Sequence, residues 1–539
     1  MHNREIARKF NELAKIMELH GENPFKIRSY QNAYNTLRKI EGSLATMSKD
    51  QLSEIPGVGK AIADKIIELS ETGNLKTYQK YADITPEGII EMLKIRGFGP
   101  KKIKVIWKDL EVVSIGELLY ACNENRLVEL KGFGEKTQEQ LKKQLKYYID
   151  SQGKYLFGFI IDDANKLMSA MSHIFSGFKH SFTGGLRKLD PIVSGIEILT
   201  TVEDSDIQNN LDKLGLTVIE DKYFIEDYPV KFHHTPQNTF GSSLLESSSS
   251  SDFLHLVNPI EAETEEEIFQ KNGLKYIKPE FRDYPEVLHL SQERLDNVIK
   301  NEDVKGVIHA HSTYSDGIHS IKEMAMTSKS LGYEYLVMSD HSKIAVYANG
   351  LTENAVFAQA EEINRLNVEL APFKIFKGIE ADILSDGDMD YGNDFLKNFE
   401  VVIASVHSGL RMDKNNATNR IIKAVENPYT HILGHPTGRL LLSREGYPID
   451  HMKVIDACAA NGMVIELNAN PLRLDIDWTW IPYALEKEVM ISINPDSHNK
   501  ESISYIKFGV NVARKALLPK GMCLNYLGLT EFSKWLKNN

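Results

Sequence analysis

The sequence predicts a multidomain chain: an all-α N-terminal region, an α+β middle region and a C-terminal α/β barrel. Three observations predict it. At 539 residues the chain is longer than one ordinary domain. Residues 1–150 carry apolar positions at helical spacing, and nothing in them alternates like a strand. From about residue 300 onward, an apolar strand, a polar loop and a helical segment recur in that order.

The composition, 42% hydrophobic and 26% charged with no sustained apolar run, is that of a soluble globular chain and excludes a membrane-spanning class. The opening MHNREIARKF is charged and helix-like, without the apolar segment of a secretory signal. Cys122, Cys458 and Cys523 are odd in number and lack CxxC spacing, which argues against a disulfide framework and a thiolate zinc site. A cytoplasmic location is the resulting default. The net charge of −12 is unevenly spread. Residues 1–150 hold 25 Lys and Arg against 21 Asp and Glu, and the remainder 38 against 54. Such asymmetry suits a basic partner-binding module joined to a carboxylate-rich one.

Within 1–150, helices are predicted over Ile6–Ile16, Ala61–Leu69 and Leu141–Tyr148. One pattern occurs three times: Ile55-Pro-Gly-Val-Gly-Lys60, Ile95-Arg-Gly-Phe-Gly-Pro-Lys101 and Leu130-Lys-Gly-Phe-Gly-Glu-Lys136. Each is a tight turn without Cβ atoms in the way, opening a helix whose free N–H groups and positive dipole end suit a phosphate, with a lysine adding charge. A single copy is equally a helix–helix corner; three copies favour DNA. The candidate contacts are Gly57, Gly59, Lys60, Gly97, Gly99, Lys101, Gly132, Gly134 and Lys136. Phosphate contacts read no bases, so sequence-independent binding is expected. These segments resemble helix-hairpin-helix motifs. Asn23-Pro-Phe-Lys-Ile-Arg-Ser-Tyr30 resembles the N-terminal DNA-binding domain of bacterial family X DNA polymerases.

In residues 151–295, LFGFII, VSGIEILTTV and YFIEDYPVKF read as strands, and Ser247–Ser251 as a mobile loop. The resemblance implies a nucleotidyltransferase palm here, possessing its framework but not its chemistry. Gly184-Gly-Leu-Arg-Lys-Leu-Asp190 resembles the nucleotide loop, with Gly185 in place of its serine. Val193-Ser-Gly-Ile-Glu-Ile-Leu199 resembles the catalytic strand; Phe240-Gly-Ser-Ser-Leu244 and Tyr276-Ile-Lys-Pro-Glu280 resemble later landmarks. The family's three aspartate positions hold Gly195, Glu197 and Lys231. Two-metal phosphoryl transfer needs carboxylates, and a lysine repels the ion, so a structural remnant is expected.

Residues 300–539 supply the barrel strands GVIHAH, YEYLVMSDH, FKIFKGIEAD, EVVIASVHS, HILGHP, GMVIELNAN and EVMISINPDSH, each ending in metal-capable residues. Nine of the 17 histidines lie here. In HxH and DxH pairs on a strand, both side chains point to one side, and imidazole with carboxylate suits Zn²⁺, Mn²⁺ or Fe²⁺. His319, His431 and His451 fall outside this pattern and read as structural. HAHSTYSDG, SDHS, GIEADIL, ASVHS, GHPTGRLLLSREGY, ELNANPLRLD and PDSH resemble, in order, the motifs of the PHP (polymerase and histidinol phosphatase) domain. The resemblance covers nearly the whole chain, as a bacterial family X polymerase with a fused PHP domain. It implies up to three ions on His309, His311, Asp316, His341, Glu380, His407, His435, Asp496 and His498, with Glu380 bridging. Arg439 and Arg473 are candidate phosphate clamps, though each suits a salt bridge equally. The expected reaction is phosphoester hydrolysis by a metal-bound water, its pKa lowered from about 15.7 toward ~7. The expected function is a 3′→5′ exonuclease or 3′-end-processing phosphoesterase in DNA repair, with polymerase activity lost. The alternatives are an active family X polymerase with an editing PHP domain, a DNA-binding scaffold, and a small-molecule phosphatase.

Overall fold

The structure, a computed structural model, describes residues 3–538 apart from 38–39, 41–43, 96–97, 129, 131, 151–152, 220 and 227. Gly97 thus lies outside the described residues. The chain forms two compact units, Met1–Cys122 with Arg126–Lys146, and Asn123–Asn125 with Tyr147–Asn539. Among the described residues no helix is long and apolar enough to cross a membrane.

The first unit is helical. Its first helix, Asn3–Leu19, buries Ile6, Phe10, Leu13 and Met17 along one face, as a helical period requires. Helices Lys60–Thr72, Pro100–Asp109 and Glu135–Asp150 each follow one of the repeated turns. In all three turns the residue between the glycines, Val58, Phe98 or Phe133, is buried. Its N–H donates to the carbonyl of Ile55, Ile95 or Leu130 at 2.9, 3.2 and 2.9 Å. One apolar anchor and one hydrogen bond therefore close each copy in the same way.

In the second unit the described strands are β1 (Tyr155–Leu156), β2 (His180–Phe182), β3 (Ile192–Val193), β4 (Ile196–Thr200), β5 (Thr217–Ile219), β6 (Lys222–Ile225) and β7 (Tyr228–His234). β1 pairs with β3, and the others form a five-stranded sheet in the order β2-β4-β7-β6-β5. Two expectations are corrected. Only Leu156 of LFGFII is strand, the end of β1; the rest opens the helix Phe157–Ile174, whose buried Ile160, Ala164, Leu167 and Met171 keep a helical period that a six-residue window cannot reveal. Ser247–Ser251 is not a loose loop: Ser247 ends the helix Phe240–Ser247, Ser248 is buried, and the Ser250 hydroxyl caps Ser251–Val257 by accepting from the Phe253 N–H.

The barrel follows: β8 (Gly306–Ala310), β9 (Tyr335–Met338), β10 (Lys374–Asp382), β11 (Val401–Ser405), β12 (Ile432–Leu433), β13 (Val464–Asn468) and β14 (Ile491–Asn494). All seven are parallel and hydrogen-bonded in chain order. A parallel bridge between Ala310 and Ser497 brings the ends together into a nearly closed barrel. β8, β9, β11, β12, β13 and β14 are buried at every position, as parallel strands covered on both faces must be. Their C-terminal ends open on one face, where the polar residues gather.

Candidate metal centre

Nine side chains predicted as ligands meet at this face. His309 and Glu380 are the strand residues, on β8 and β10. The others stand just beyond strand ends or, for Asp316, in the loop after β8. Glu380 is the hub. Its Oε1 lies 3.3, 3.1 and 3.0 Å from Nε2 of His309, His407 and His435, and its Oε2 lies 2.9 Å from His341 Nδ1 and 3.6 Å from His311 Nε2. Asp496 Oδ1 is 3.4 Å from His309 Nε2 and 3.2 Å from His311 Nε2. Asp316 closes the third corner, 3.5 Å from His341 Nε2 and 3.3 Å from His498 Nε2. Three of these residues, His309 (φ +66°), His435 (φ +22°) and Asp496 (φ +51°), have left-handed backbones. Non-glycine residues adopt this conformation at a cost, and such strain concentrates at functional sites.

The donor set fits divalent metal. Its atoms form overlapping groups close enough to share an ion: His311, Asp316, His341 and His498; His309, His311 and Asp496; Glu380, His407 and His435. Among the described residues, His309 Nε2, His311 Nδ1, both His341 nitrogens, Asp316 Oδ2, Glu380 Oε2 and His498 Nε2 are buried without a hydrogen bond. Buried polar atoms are otherwise almost always paired, so a cluster of such atoms facing one point marks a ligand site. The electrostatics agree. Burial works against charge on Glu380, yet His407, His309 and His341 hold its carboxyl well below the usual range. Burial, with His498 and His341 beside it, pushes His311 down to about 3.

Outer residues that the sequence reading missed hold the ligands in place. Glu466 Oε2 lies 2.7 Å from His309 Nδ1 and accepts from Asn494 Nδ2 at 2.8 Å, while its Oε1 accepts from the His435 N–H at 3.1 Å. Asp382 Oδ1 lies 3.1 Å from His407 Nδ1. Carboxylates behind imidazoles fix ring orientation and raise ligand basicity. Asp340 accepts from the Ser312 N–H at 2.7 Å and the Gln359 amide at 2.6 Å, pinning the loop that carries Asp316. Glu124, in the short segment that clusters with this unit, lies 2.5 Å from His498 Nδ1. The period-two rule would have found Asp382 from Glu380, since the two share a strand face. It would also have flagged Glu466 as a carboxylate on a wholly buried strand.

Arg439 and Arg473 are placed differently from one another. Arg439 is committed to the protein: it pairs with Asp477, and its Nε donates to the Arg473 carbonyl at 3.0 Å. Arg473 is buried, its Nε 3.9 Å from Asp496 Oδ2. His319 accepts from the Lys500 N–H, His431 from the Val402 N–H, and His451 stacks on Trp480. None of these three appears in a ligand group.

In the middle region, Glu197 on β4 is in register with Lys231 on β7. Glu197 accepts from Ser194 Oγ at 3.0 Å and lies 3.0 Å from His233 Nε2. At Gly195 (φ +147°) a Cβ would meet the Pro229 carbonyl oxygen at 2.7 Å. Arg187 and Lys188 of the glycine loop face protein carboxylates. Arg187 forks onto Glu265 at 2.9 and 2.6 Å, and Lys188 lies 3.3 Å from Asp190 and 3.4 Å from Asp283. Lys515 bonds Asp190 at 2.8 Å and Asp283 as well.

In the helical unit, Gly57 (φ +84°) and Gly132 (φ +93°) hold backbone angles that favour glycine. Gly59 and Gly99 occupy helix N-cap positions, and no neighbour crowds Gly59, Gly99, Gly132 or Gly134. Lys60, Lys101 and Lys136 are exposed.

Residues 1–75 match the helix-hairpin-helix domain, 89–146 the SAM-like helix-hairpin-helix tandem and 308–470 the PHP domain. Helical DNA-binding modules joined to a metal-binding α/β barrel define a DNA-binding protein of the hydrolase class. Over its full length the chain is 32% identical to the "DNA polymerase/3'-5' exonuclease PolX" of Bacillus subtilis (strain 168), with 100% of both chains covered. It belongs to that PolX family of family X DNA polymerases. The chain is also similar to a "Probable phosphatase" of Thermoanaerobacter sp. (strain X514), 27% identical across 40% of this chain and 88% of that protein. A "Probable phosphatase" of Acetivibrio thermocellus is 29% identical over 30% of this chain and 63% of its own length.

Proposed function

We propose that this chain shortens DNA from its 3′ end by metal-dependent hydrolysis, and that its palm no longer synthesises DNA. The observation that carries the reading is the convergence of five imidazoles on Glu380 within 3.6 Å, at the open end of the barrel. His309, His311, Asp316, His341, Glu380, His407, His435, Asp496 and His498 would hold up to three ions, Zn²⁺, Mn²⁺ or Fe²⁺ by donor type. When bound, such ions supply Lewis acidity and a nucleophilic water at neutral pH. The protein's own contribution is position. Glu466 and Asp382 orient the imidazoles, and Asp340 fixes the loop bearing Asp316. Arg473 is assigned the phosphate contact, and Arg439 holds the Arg473 backbone rather than touching substrate. DNA reaches the site through the helix-hairpin-helix domains, whose turns track the phosphate backbone without reading bases. In the palm, the pairing of Glu197 with His233 and the lysine beside it support loss of the polymerase metals.

The test is one end-labelled primer–template supplied with Mn²⁺ and all four nucleotides. The label should shorten, and His309→Ala should stop it. Lengthening would overturn the reading of the palm. The phosphatase relatives favour a second reading: release of phosphate from small monoesters while the labelled strand stays intact would select it.

A further inference from the structure

The loops after β8 and β9 each carry a candidate ligand, and each also holds large aliphatic side chains in solvent. On the first, Asp316 is followed by Ile318, 53% exposed; on the second, His341 is followed by Ile344 at 52% and Val346 at 80%. Both loops reach the same point, since Asp316 Oδ2 lies 3.5 Å from His341 Nε2. Neither loop is free to turn these residues inward. The Ile318 N–H donates to the His498 carbonyl at 2.9 Å, and the Ile344 N–H to Asp390 Oδ2 at 2.8 Å. The second loop is tied off where the Leu351 N–H donates to the His341 carbonyl at 2.9 Å, and at Gly350 a Cβ would collide with the Ser342 carbonyl. Tyr347, next to Val346, sets its ring 6.2 Å from that of His341 and 6.5 Å from that of His407. Burying a valine or isoleucine gains about 1.5–3 kcal/mol, so three held exposed on rigid loops beside a polar cluster form a surface suited to an apolar partner.

We infer that Ile318, Ile344 and Val346 are a seat for the base of the 3′-terminal nucleotide, a reading that rests on the exonuclease proposal above. With the terminal phosphodiester held at the cluster, the sugar and base are the parts of the nucleotide that extend to its rim. Aliphatic side chains take the face of a base by dispersion and exclusion of water, which any base satisfies. They offer no hydrogen-bond donor or acceptor, so base identity is not read. The seat therefore takes the terminal base of any sequence.

The experiment compares the Mn²⁺-loaded full chain on a single-stranded oligonucleotide with a normal 3′ nucleotide and on one ending in an abasic tetrahydrofuran residue. The parent should favour the normal end. In Ile344→Ser/Val346→Ser and in Ile318→Ser, that preference, as a ratio of kcat/KM, should fall about tenfold, through KM rather than kcat. Val346→Phe should lower KM for the normal end. Val368→Ser, an equally exposed valine in the last turn of the helix Glu353–Leu370, should change neither substrate. Metal content per chain monitors folding in every variant. An unchanged preference in both serine variants, or no KM change in Val346→Phe, would overturn the seat while leaving the exonuclease standing. If the metal-loaded parent cut neither oligonucleotide, the exonuclease reading and the seat would fall together.

Discussion

At the scale of single residues, the centre behaves as one object because its members share partners. Glu380 touches five histidines, so the loss of one imidazole redirects the carboxylate that serves the other four. His309→Ala and Asp496→Asn should each lower nuclease activity by orders of magnitude, and the double variant should lose little more than either alone. Steady-state rates at saturating Mn²⁺ check this; additive losses would mean that the two residues serve separate steps. His319→Ala, in the same stretch but with its ring accepting from the Lys500 N–H, should stay near the parent rate. A second residue-scale expectation concerns acid. Burial pushes His431 down to about 4 from the ordinary 6.5, and its Nδ1 accepts from the Val402 N–H, so it is held neutral. Between those two values the unfolded chain takes up a proton that the folded chain refuses. Stability from this group is therefore whole above pH 6.5 and declines as pH falls toward 4, by up to about 3 kcal/mol. His431→Gln should flatten that part of the profile. Denaturant titrations of parent and variant at pH 7 and pH 5 measure the difference, and parallel profiles would refute it.

At the scale of elements, legibility tracked how far each signal depends on local periodicity. Every predicted barrel strand is present, because a run such as Val401–Ser405 between polar loops is strand-like on its own. Most of the nine candidate ligands stand out for a related reason, as polar residues stopping apolar runs. LFGFII misled because its last five residues, the apolar opening of a helix, look identical to a buried strand. Glu466 and Asp382 were open to reading as carboxylates on buried strands, but which imidazole each stands behind is a tertiary fact. The repeated turns were legible as three copies of one pattern, and the structure adds their common apolar anchor. Their lysines head helices with open N-termini, so each should act as one phosphate contact. Replacing Lys60, Lys101 or Lys136 by Gln should weaken DNA binding uniformly across sequences and reduce the log–log salt slope by roughly one each. Fluorescence anisotropy of the full chain over a salt series provides the slopes, and an unchanged slope in all three would remove the lysines from the contact surface.

At the scale of the whole molecule, the proposal that polymerase activity is lost can be tested against the packing of the middle region. In the barrel all nine candidate ligands meet at one face, whereas the middle region leaves little room for the carboxylates a polymerase site would need. An aspartate at position 195 would place its Cβ 2.7 Å from the Pro229 carbonyl, on a backbone at φ +147° that side chains other than glycine's rarely adopt. A side chain at 185 would meet Val193 Cγ1 at 3.0 Å and Asp190 Oδ2 at 3.2 Å. Asp190 cannot simply move aside, because it binds Lys515, a buried lysine on the helix Ile506–Lys515 of the barrel domain. The cations of the glycine loop are engaged by Glu265, Asp190 and Asp283 rather than open to a triphosphate. Restoring the acids alone is therefore not enough. The triple variant Gly195→Asp, Glu197→Asp, Lys231→Asp should still fail to lengthen a primer with Mg²⁺ or Mn²⁺ and all four nucleotides, and a His309→Ala background keeps the primer from being shortened meanwhile. It should also be less stable than its parent, since two strands must separate to admit the new side chain. Extension by the triple variant would show that the missing carboxylates are the whole of the defect and that the palm is otherwise competent.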